Sequence, residues 1–246
     1  MLSKALAKHI RSLHLPKFRK EHGCFIVEGE KISLEWLQSA APVTTIVCTK
    51  DWAEQHPAEI AAHLNAGLVL VKPSELESVS ALKTANEVLL VATPFPEEDT
   101  VLKQEWHLAL EGIRDPGNMG TIIRIADWFG VKRIICSPDC VDVYSPKVIQ
   151  SAMGGHLRVR ITETELVPLL RTADLPKLAA TLHGKNAYKM DRKEAGILII
   201  GNESNGLSQQ VIDCATHQVT IPGRGGAESL NAGVSAGILC ALLLPC

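Results

Sequence analysis

The sequence predicts an α/β fold in two parts, and three observations predict it. Short β-branched runs alternate with helical patterns along the 246 residues, as expected for strands that take helices on their faces. The alternation is interrupted at Thr93-Pro94-Phe95-Pro96-Glu97-Glu98-Asp99, a proline-rich, acidic stretch without period that reads as a linker or domain edge. Beyond it, strand-like runs end in turns rich in glycine, the arrangement of a nucleotide-type pocket at the C-terminal ends of parallel strands. The expected domains are 1–95 and 104–246.

The elements follow in order. Leu2, Leu6, Ile10 and Leu13 form an apolar helical stripe, with Lys4, Lys8 and Arg11 on another face. Lys17, Arg19 and Lys20 follow before the first acid, Glu21. The run reads either as a solvated helix face or as a phosphate-contacting patch made of Lys8, Arg11, Lys17, Arg19 and Lys20. Phe25–Val27 is a strand, Ile32–Gln38 a helix and Val43–Cys48 a second strand. A helix is expected over Ala53–Leu64, a strand over Leu68–Val71, a helix from Pro73, and a strand over Val88–Ala92. The second series starts at His107–Leu110.

Composition removes several classes of function. The hydrophobic share, 46%, suits a globular chain with a real core. A net charge of −2 argues against bulk, unspecific nucleic-acid binding, which depends on phosphate neutralisation, though not against a local basic face. Seven cysteines, an odd number mostly in apolar runs, suggest a reduced, cytoplasmic chain. Cys136 and Cys140 stand four apart with no second Cys/His pair nearby, so no metal is expected. No apolar run is long enough to span a bilayer, and Lys4, Lys8 and Arg11 interrupt any secretory signal.

Three segments carry the chemistry. In Arg114–Gly130, Asp115-Pro116-Gly117 is turn chemistry, Asn118 is a candidate helix cap, and Ile122, Ile125, Ala126 and Phe129 repeat at helical spacing. Arg124 lies off that stripe near the helix start. It is either a surface Arg paired with Asp127 or a group that meets an anionic substrate. Leading into Leu198–Ser208, Ile197–Ile200 reads as a buried parallel strand, followed by Gly201, where a ligand can approach the backbone. Glu203 sits in the turn, and Ser208 suits the next cap. In Ile221–Asn231, Pro222 stops a strand, a Gly-rich loop leads to Glu228 and Ser229, and an apolar helix runs from Leu230. Ala232, Gly233, Ala236 and Gly237 suit close packing of that helix. Asn231 at its start needs polar partners. The loop after Pro222 lacks both the dinucleotide fingerprint and the P-loop Lys, and Gly201–Gly206 is no nucleophile elbow.

These three segments resemble the three motifs of the SpoU (TrmH) family of RNA ribose methyltransferases, in the SPOUT superfamily. The pattern is Asn and Arg at fixed spacing, then Gly-x-Glu, then Ile-Pro followed by Ser-Leu-Asn. Tyr144–Val148 and Ser151–Gly154 are similar to the family's stretch between its first and second motifs. Arg11-Ser12-Leu13, Phe18-Arg19 and Phe25–Gly29 resemble an L30e-like substrate-binding domain. Gly223 stands where members often carry Met.

The resemblance implies a C-terminal SPOUT domain with a parallel sheet and a deep trefoil knot that forms the pocket for S-adenosyl-L-methionine. It implies a homodimer that methylates a ribose 2′-hydroxyl in structured rRNA or tRNA, with rRNA favoured by the extra domain. The same resemblance places Arg124, Asn118, Glu203, Ser229 and Asn231 in the active site. It places Leu182, His183, Gly184, Gly201, Asn202, Ile221 and Leu230 against the cofactor. The competing expectation is a catalytically silent RNA-binding or ribosome-assembly protein of the same fold.

Overall fold

The computed structural model describes residues 1–82, 84, 86–96, 101–202 and 204–245. In chain order the first elements are α1 (Lys4–Ser12), α2 (Pro16–His22), β1 (Phe25–Glu28), α3 (Glu30–Leu37), β2 (Val43–Thr49), α4 (Lys50–Gln55), α5 (Pro57–Ala61), β3 (Gly67–Val71), α6 (Pro73–Glu77) and β4 (Val88–Ala92). Then come β5 (Trp106–Leu110), α7 (Pro116–Trp128), β6 (Arg133–Cys136), α8 (Pro146–Ala152), β7 (Arg160–Glu163), α9 (Leu166–Thr172) and β8 (Lys177–Asn186). The series ends with β9 (Gly196–Ile200), α10 (Gln209–Ile212), β10 (His217–Thr220) and α11 (Ala232–Leu243). The chain forms two compact units, Met1–Glu97 with Asp142–Leu157, and Glu98–Val141 with Arg158–Cys246. The expected 104–246 domain thus contains a stretch that packs with the first unit. Of the expected linker, Thr93–Pro96 is neither helix nor strand, and 97–99 lie outside the described residues.

The first unit holds a sheet of order β1-β4-β2-β3, antiparallel except for the β2–β3 pair. Its strands alternate their side chains between two apolar layers. Phe25, Val27, Ile46 and Leu90 pack with Trp36 and Trp52 on one face. Ile26, Val47, Leu89 and Val91 pack with Ile10 and Leu13 on the other. The helix expected over Ala53–Leu64 is instead α4 and α5, broken at His56. Pro57 removes a backbone donor and pushes the preceding residue out of the helical region, and His56 has φ −126° and ψ 46°.

Asp142–Leu157 joins this unit through apolar packing and an ion pair. Ile149 of α8 enters the cluster of Phe25 and Trp36. The Arg19 guanidinium, only 5% exposed, pairs with Asp142 at 2.7 Å and donates to the Leu13 carbonyl at 2.6 Å. Arg19 therefore leaves the expected RNA-contacting set. A buried guanidinium needs a partner to offset its lost hydration, and Asp142 supplies it.

His156 is buried beside Trp36 and Tyr144 and donates from Nε2 to the Val143 carbonyl at 2.8 Å. Burial holds its imidazole neutral, lowering its pKa from 6.5 to about 4. Below pH 6.5 the unfolded chain takes up a proton there that the folded chain refuses. Stability should then fall as pH drops toward 4, by up to about 3 kcal/mol from this residue. His156→Gln, which keeps a donor for Val143, should flatten the fall in thermal midpoint over that window. An equal fall in the variant and the parent would remove His156 as its cause.

The second unit holds six parallel strands in the order β10-β8-β9-β5-β6-β7. Strands β5, β6 and β9 are buried throughout, as parallel strands covered on both faces must be. The C-terminal ends of β5, β9 and β10 lead into the segments that carry Asn118 and Arg124, Gly201 and Asn202, and Ile221 to Asn231. Among the described residues, no helix is long and apolar enough to cross a membrane.

Candidate active site

Helix α7 begins where β5 ends. Asp115, not Asn118, is its cap: the Asp115 carboxylate accepts from the Asn118 backbone N–H at 2.8 Å, and Pro116 occupies the first helical position. Pro fits there because that N–H has no helical partner anyway. Asn118 is thereby released for a longer-range contact. Its Oδ1 accepts from Asn231 Nδ2 at 2.7 Å, while Asn231 Oδ1 accepts from the Val234 N–H and caps α11. The helix thus starts at Ala232, and Leu230 precedes it. One amide pair joins the N-terminal ends of α7 and α11.

The two helices then pack through small residues. A Cβ at Gly233 would meet Thr121 Cγ2 at 3.0 Å, and one at Gly237 would meet Ile125 Cδ1 at 3.5 Å. Arg124 lies one turn past Thr121 and is exposed. The nearby Asp127 carboxylate is held instead by Arg158, whose Nε donates to both oxygens at 2.8 and 2.9 Å. No hydrogen bond or ion pair engages Arg124 among the described residues. Trp128, on the same helix face, is 84% exposed, and Val234 of α11 is 49% exposed.

Of the cofactor-expected residues, Leu182, His183 and Gly184 lie in β8, Gly201 and Asn202 follow β9, Ile221 follows β10, and Leu230 precedes α11. The β8–β10 ladder jumps from Ala179 to Lys185, so Ala180–Gly184, including Leu182 and His183, have no register partner. The Thr220 hydroxyl donates to the Leu182 carbonyl at 3.2 Å, which brings Ile221 beside that segment. Leu182 and Leu230 are 65% and 44% exposed. Two glycines are required by close approach: a Cβ at Gly184 would overlap the Gln218–Val219 backbone, and one at Gly201 the Gly206–Leu207 backbone.

Asn202 holds its own loop together. Its Nδ2 donates to the Gly112 carbonyl at 2.8 Å, and its Oδ1 accepts from Ser204 and Asn205 N–H groups. Its side chain is therefore committed, and only its backbone remains for a ligand. Glu203 lies outside the described residues. Ser229 is exposed in the loop before Asn231. From Gly223 to Leu230 no backbone hydrogen bond ties the loop to other described residues.

Two features escaped the sequence reading. Glu111 accepts from both the N–H and the hydroxyl of Ser208, at 2.7 and 2.6 Å, joining the loop after β5 to the start of α10. A glutamate after a strand carries no local sign of that reach. Cys140 has its pKa lowered to about 7 by the hydrogen bond from the Cys136 thiol, with Ser137 adding to the effect. Among the described residues, no group of three His, Cys, Asp or Glu side chains is placed to hold a metal ion.

Comparison with known proteins agrees with this arrangement. Residues 105–241 match the SpoU rRNA Methylase family, and residues 4–90 match the MRM3-like substrate binding domain. An uncharacterized tRNA/rRNA methyltransferase of Synechocystis is 31% identical, over 95% of this chain and 88% of its own length. The 23S rRNA (guanosine(2553)-2′-O)-methyltransferase RlmP of Bacillus subtilis is 28% identical, over 94% and 93%. Among solved structures, a proposed RNA methyltransferase of the TrmH family from Porphyromonas gingivalis superposes with a TM-score of 0.87 at 32% identity, covering 99% of this chain and 98% of its own. An AdoMet-bound rRNA methyltransferase from Sinorhizobium meliloti gives 0.86 at 27%, covering 98% and 94%. With the six-stranded parallel sheet and the joined α7 and α11 in place, the chain belongs to the SpoU rRNA methylase family.

Proposed function

We propose that the protein transfers a methyl group from S-adenosyl-L-methionine to a ribose 2′-hydroxyl of ribosomal RNA. The observation that carries this reading is Arg124: an exposed guanidinium whose neighbouring carboxylate is taken by Arg158, six residues along α7 from the Asn118 that pairs with Asn231. The cofactor site fits the chain's own groups. Exposed Leu182 and Leu230 offer apolar surface for a flat base, and the backbone of Gly223–Leu230, with no backbone hydrogen bond to the other described residues, offers donors and acceptors. Gly201, Asn202 and Ile221 would contribute backbone groups, and His183 and Gly184 the free stretch of β8. When bound, the cofactor supplies an electrophilic methyl group.

The remaining work belongs to side chains. Arg124 stays protonated, so it serves as an electrostatic group and not as a base. It holds a phosphate of the RNA or stabilises the alkoxide as it develops. Ser229 meets the ribose. Asn118 and Asn231 act as positioning residues, because their amides are bound to each other. By the family resemblance, Glu203 would orient Arg124 or Asn118. The family's knot would thread at the crossings beside Gly184 and Gly201. A second copy of the chain would cover Trp128 and Val234, which leaves the enzyme a homodimer, and the unpaired thiols suit the cytoplasm.

The test is incubation with labelled S-adenosyl-L-methionine and unmodified ribosomal RNA, followed by digestion to nucleosides. Label in a 2′-O-methylated nucleoside is expected. Label on a base would overturn the reaction, and no label on free or ribosome-bound RNA would favour a silent assembly factor.

A further inference from the structure

Helices α1 and α2 carry a row of rings that neither core uses. The Phe18 and His22 rings stack, with centroids 6.1 Å apart and planes 13° apart. His22 meets His9 edge-on at 4.9 Å. Phe25 and Phe95 pack into the apolar cluster of the first unit, whereas Phe18 belongs to neither cluster there. His22 is exposed, and Phe18 and His9 are half-buried. Cations border the row. Lys17 Nζ stands 5.8 Å from the Phe18 centroid, Lys8 precedes His9, and both lysines are exposed. Arg11 is exposed too and uses its Nε on the Ser78 carbonyl. Glu21 is the one acid in residues 1–22.

We propose that Phe18, His22 and His9 form a stacking platform for unpaired nucleobases of the RNA substrate, with Lys8, Arg11 and Lys17 on the adjoining phosphates. The proposal rests on the RNA-methyltransferase reading above. Exposed rings bordered by cations suit single-stranded RNA, whose splayed bases stack on aromatic faces. Bases within a duplex are already stacked and cannot reach the platform. A bilayer is a poorer fit, because Ala7, Ile10 and Leu13 are buried and Leu2 and Leu6 pack against the same cluster, so the apolar stripe of α1 is already used by the fold. The inference also divides the basic run of the sequence by role. Arg19 holds the fold, and Lys8, Arg11 and Lys17 face the ligand.

The test compares the full chain and its variants on two fluorescein-labelled probes: a single-stranded oligoribonucleotide of mixed sequence, and the duplex formed with its complement. Phe18→Ala should weaken single-strand binding about tenfold and leave duplex binding within about twofold, with the thermal midpoint unchanged. Phe18→Tyr should bind like the parent. Lys17→Ala should weaken both probes and flatten the salt dependence of the single strand by about 0.7 in slope. Unchanged single-strand binding by Phe18→Ala, or equal weakening on both probes, overturns the platform. The reading of the enzyme fails separately: a parent chain that binds RNA through Phe18 yet methylates none keeps the platform and loses the reaction.

Discussion

Arg124→Ala is expected to lower the rate of methyl transfer by about 10²–10³-fold, with cofactor affinity and thermal midpoint unchanged. That range is the usual cost of removing one preorganised donor from a developing oxyanion. The stability should not move, because Arg124 is exposed and no hydrogen bond or ion pair to the described residues would be lost with it. Arg124→Lys separates two physical roles. A lysine keeps the charge but not the planar fork, so recovery to near-parent rates would mean that charge alone suffices. Continued loss would mean that two parallel hydrogen bonds are needed. Single-turnover rates at saturating RNA are the measurement, since they exclude an effect on RNA affinity. An Arg124→Ala enzyme with parental rates would end the electrostatic assignment.

Gly184→Ala is expected to destabilise the chain by more than about 3 kcal/mol, or to prevent folding. The added carbon would overlap three backbone atoms of Gln218 and Val219. Backbone cannot swing aside as a long side chain can, and overpacking of this kind lies at the severe end of single substitutions. Gly201→Ala should behave alike, against Gly206 and Leu207. Gly226→Ala is the control: nothing lies within 4 Å of its added carbon, so its stability should stay within about 0.5 kcal/mol of the parent. Urea midpoints of the three variants decide the matter, and a Gly184→Ala midpoint near that of Gly226→Ala would contradict the close approach.

Much of the fold was legible because strands and turns write themselves locally. Val88–Ala92 was read with the bounds it has, and Phe25–Val27 and Ile197–Ile200 each fell one residue short. Errors arose where two local signals competed. Asn118 and Asp115 are both good caps, and only Pro116 at the first helical position decides between them. Pro57 should have split Ala53–Leu64 by its missing donor alone. Other features were beyond local reading. Arg19 looks like Lys17 and Lys20 in a charge run, and its burial depends on Asp142, 123 residues away. Apolar spacing in α8 reveals a buried face but not which core receives it. Within the candidate site, the motifs located Arg124, Asn118 and Asn231. The sequence did not reveal that Asn118 and Asn231 bind each other, or that Arg158 takes Asp127.

The grouping of Asp142–Leu157 with the N-terminal unit bears on how such proteins diversify. The polypeptide passes between its units at Glu97–Glu98, Val141–Asp142 and Leu157–Arg158, so no single cut separates them. A fragment beginning after the linker would carry α8 with Ile149 stripped of the Phe25–Trp36 cluster that covers it, an invitation to aggregate. The N-terminal fragment would in turn have Arg19 buried without its counter-ion. Exchange of recognition modules between relatives by one crossover in a gene is therefore penalised. A viable graft must carry the Asp142–Leu157 insert along with its N-terminal host, and sequence changes on the two sides of that seam should be inherited together.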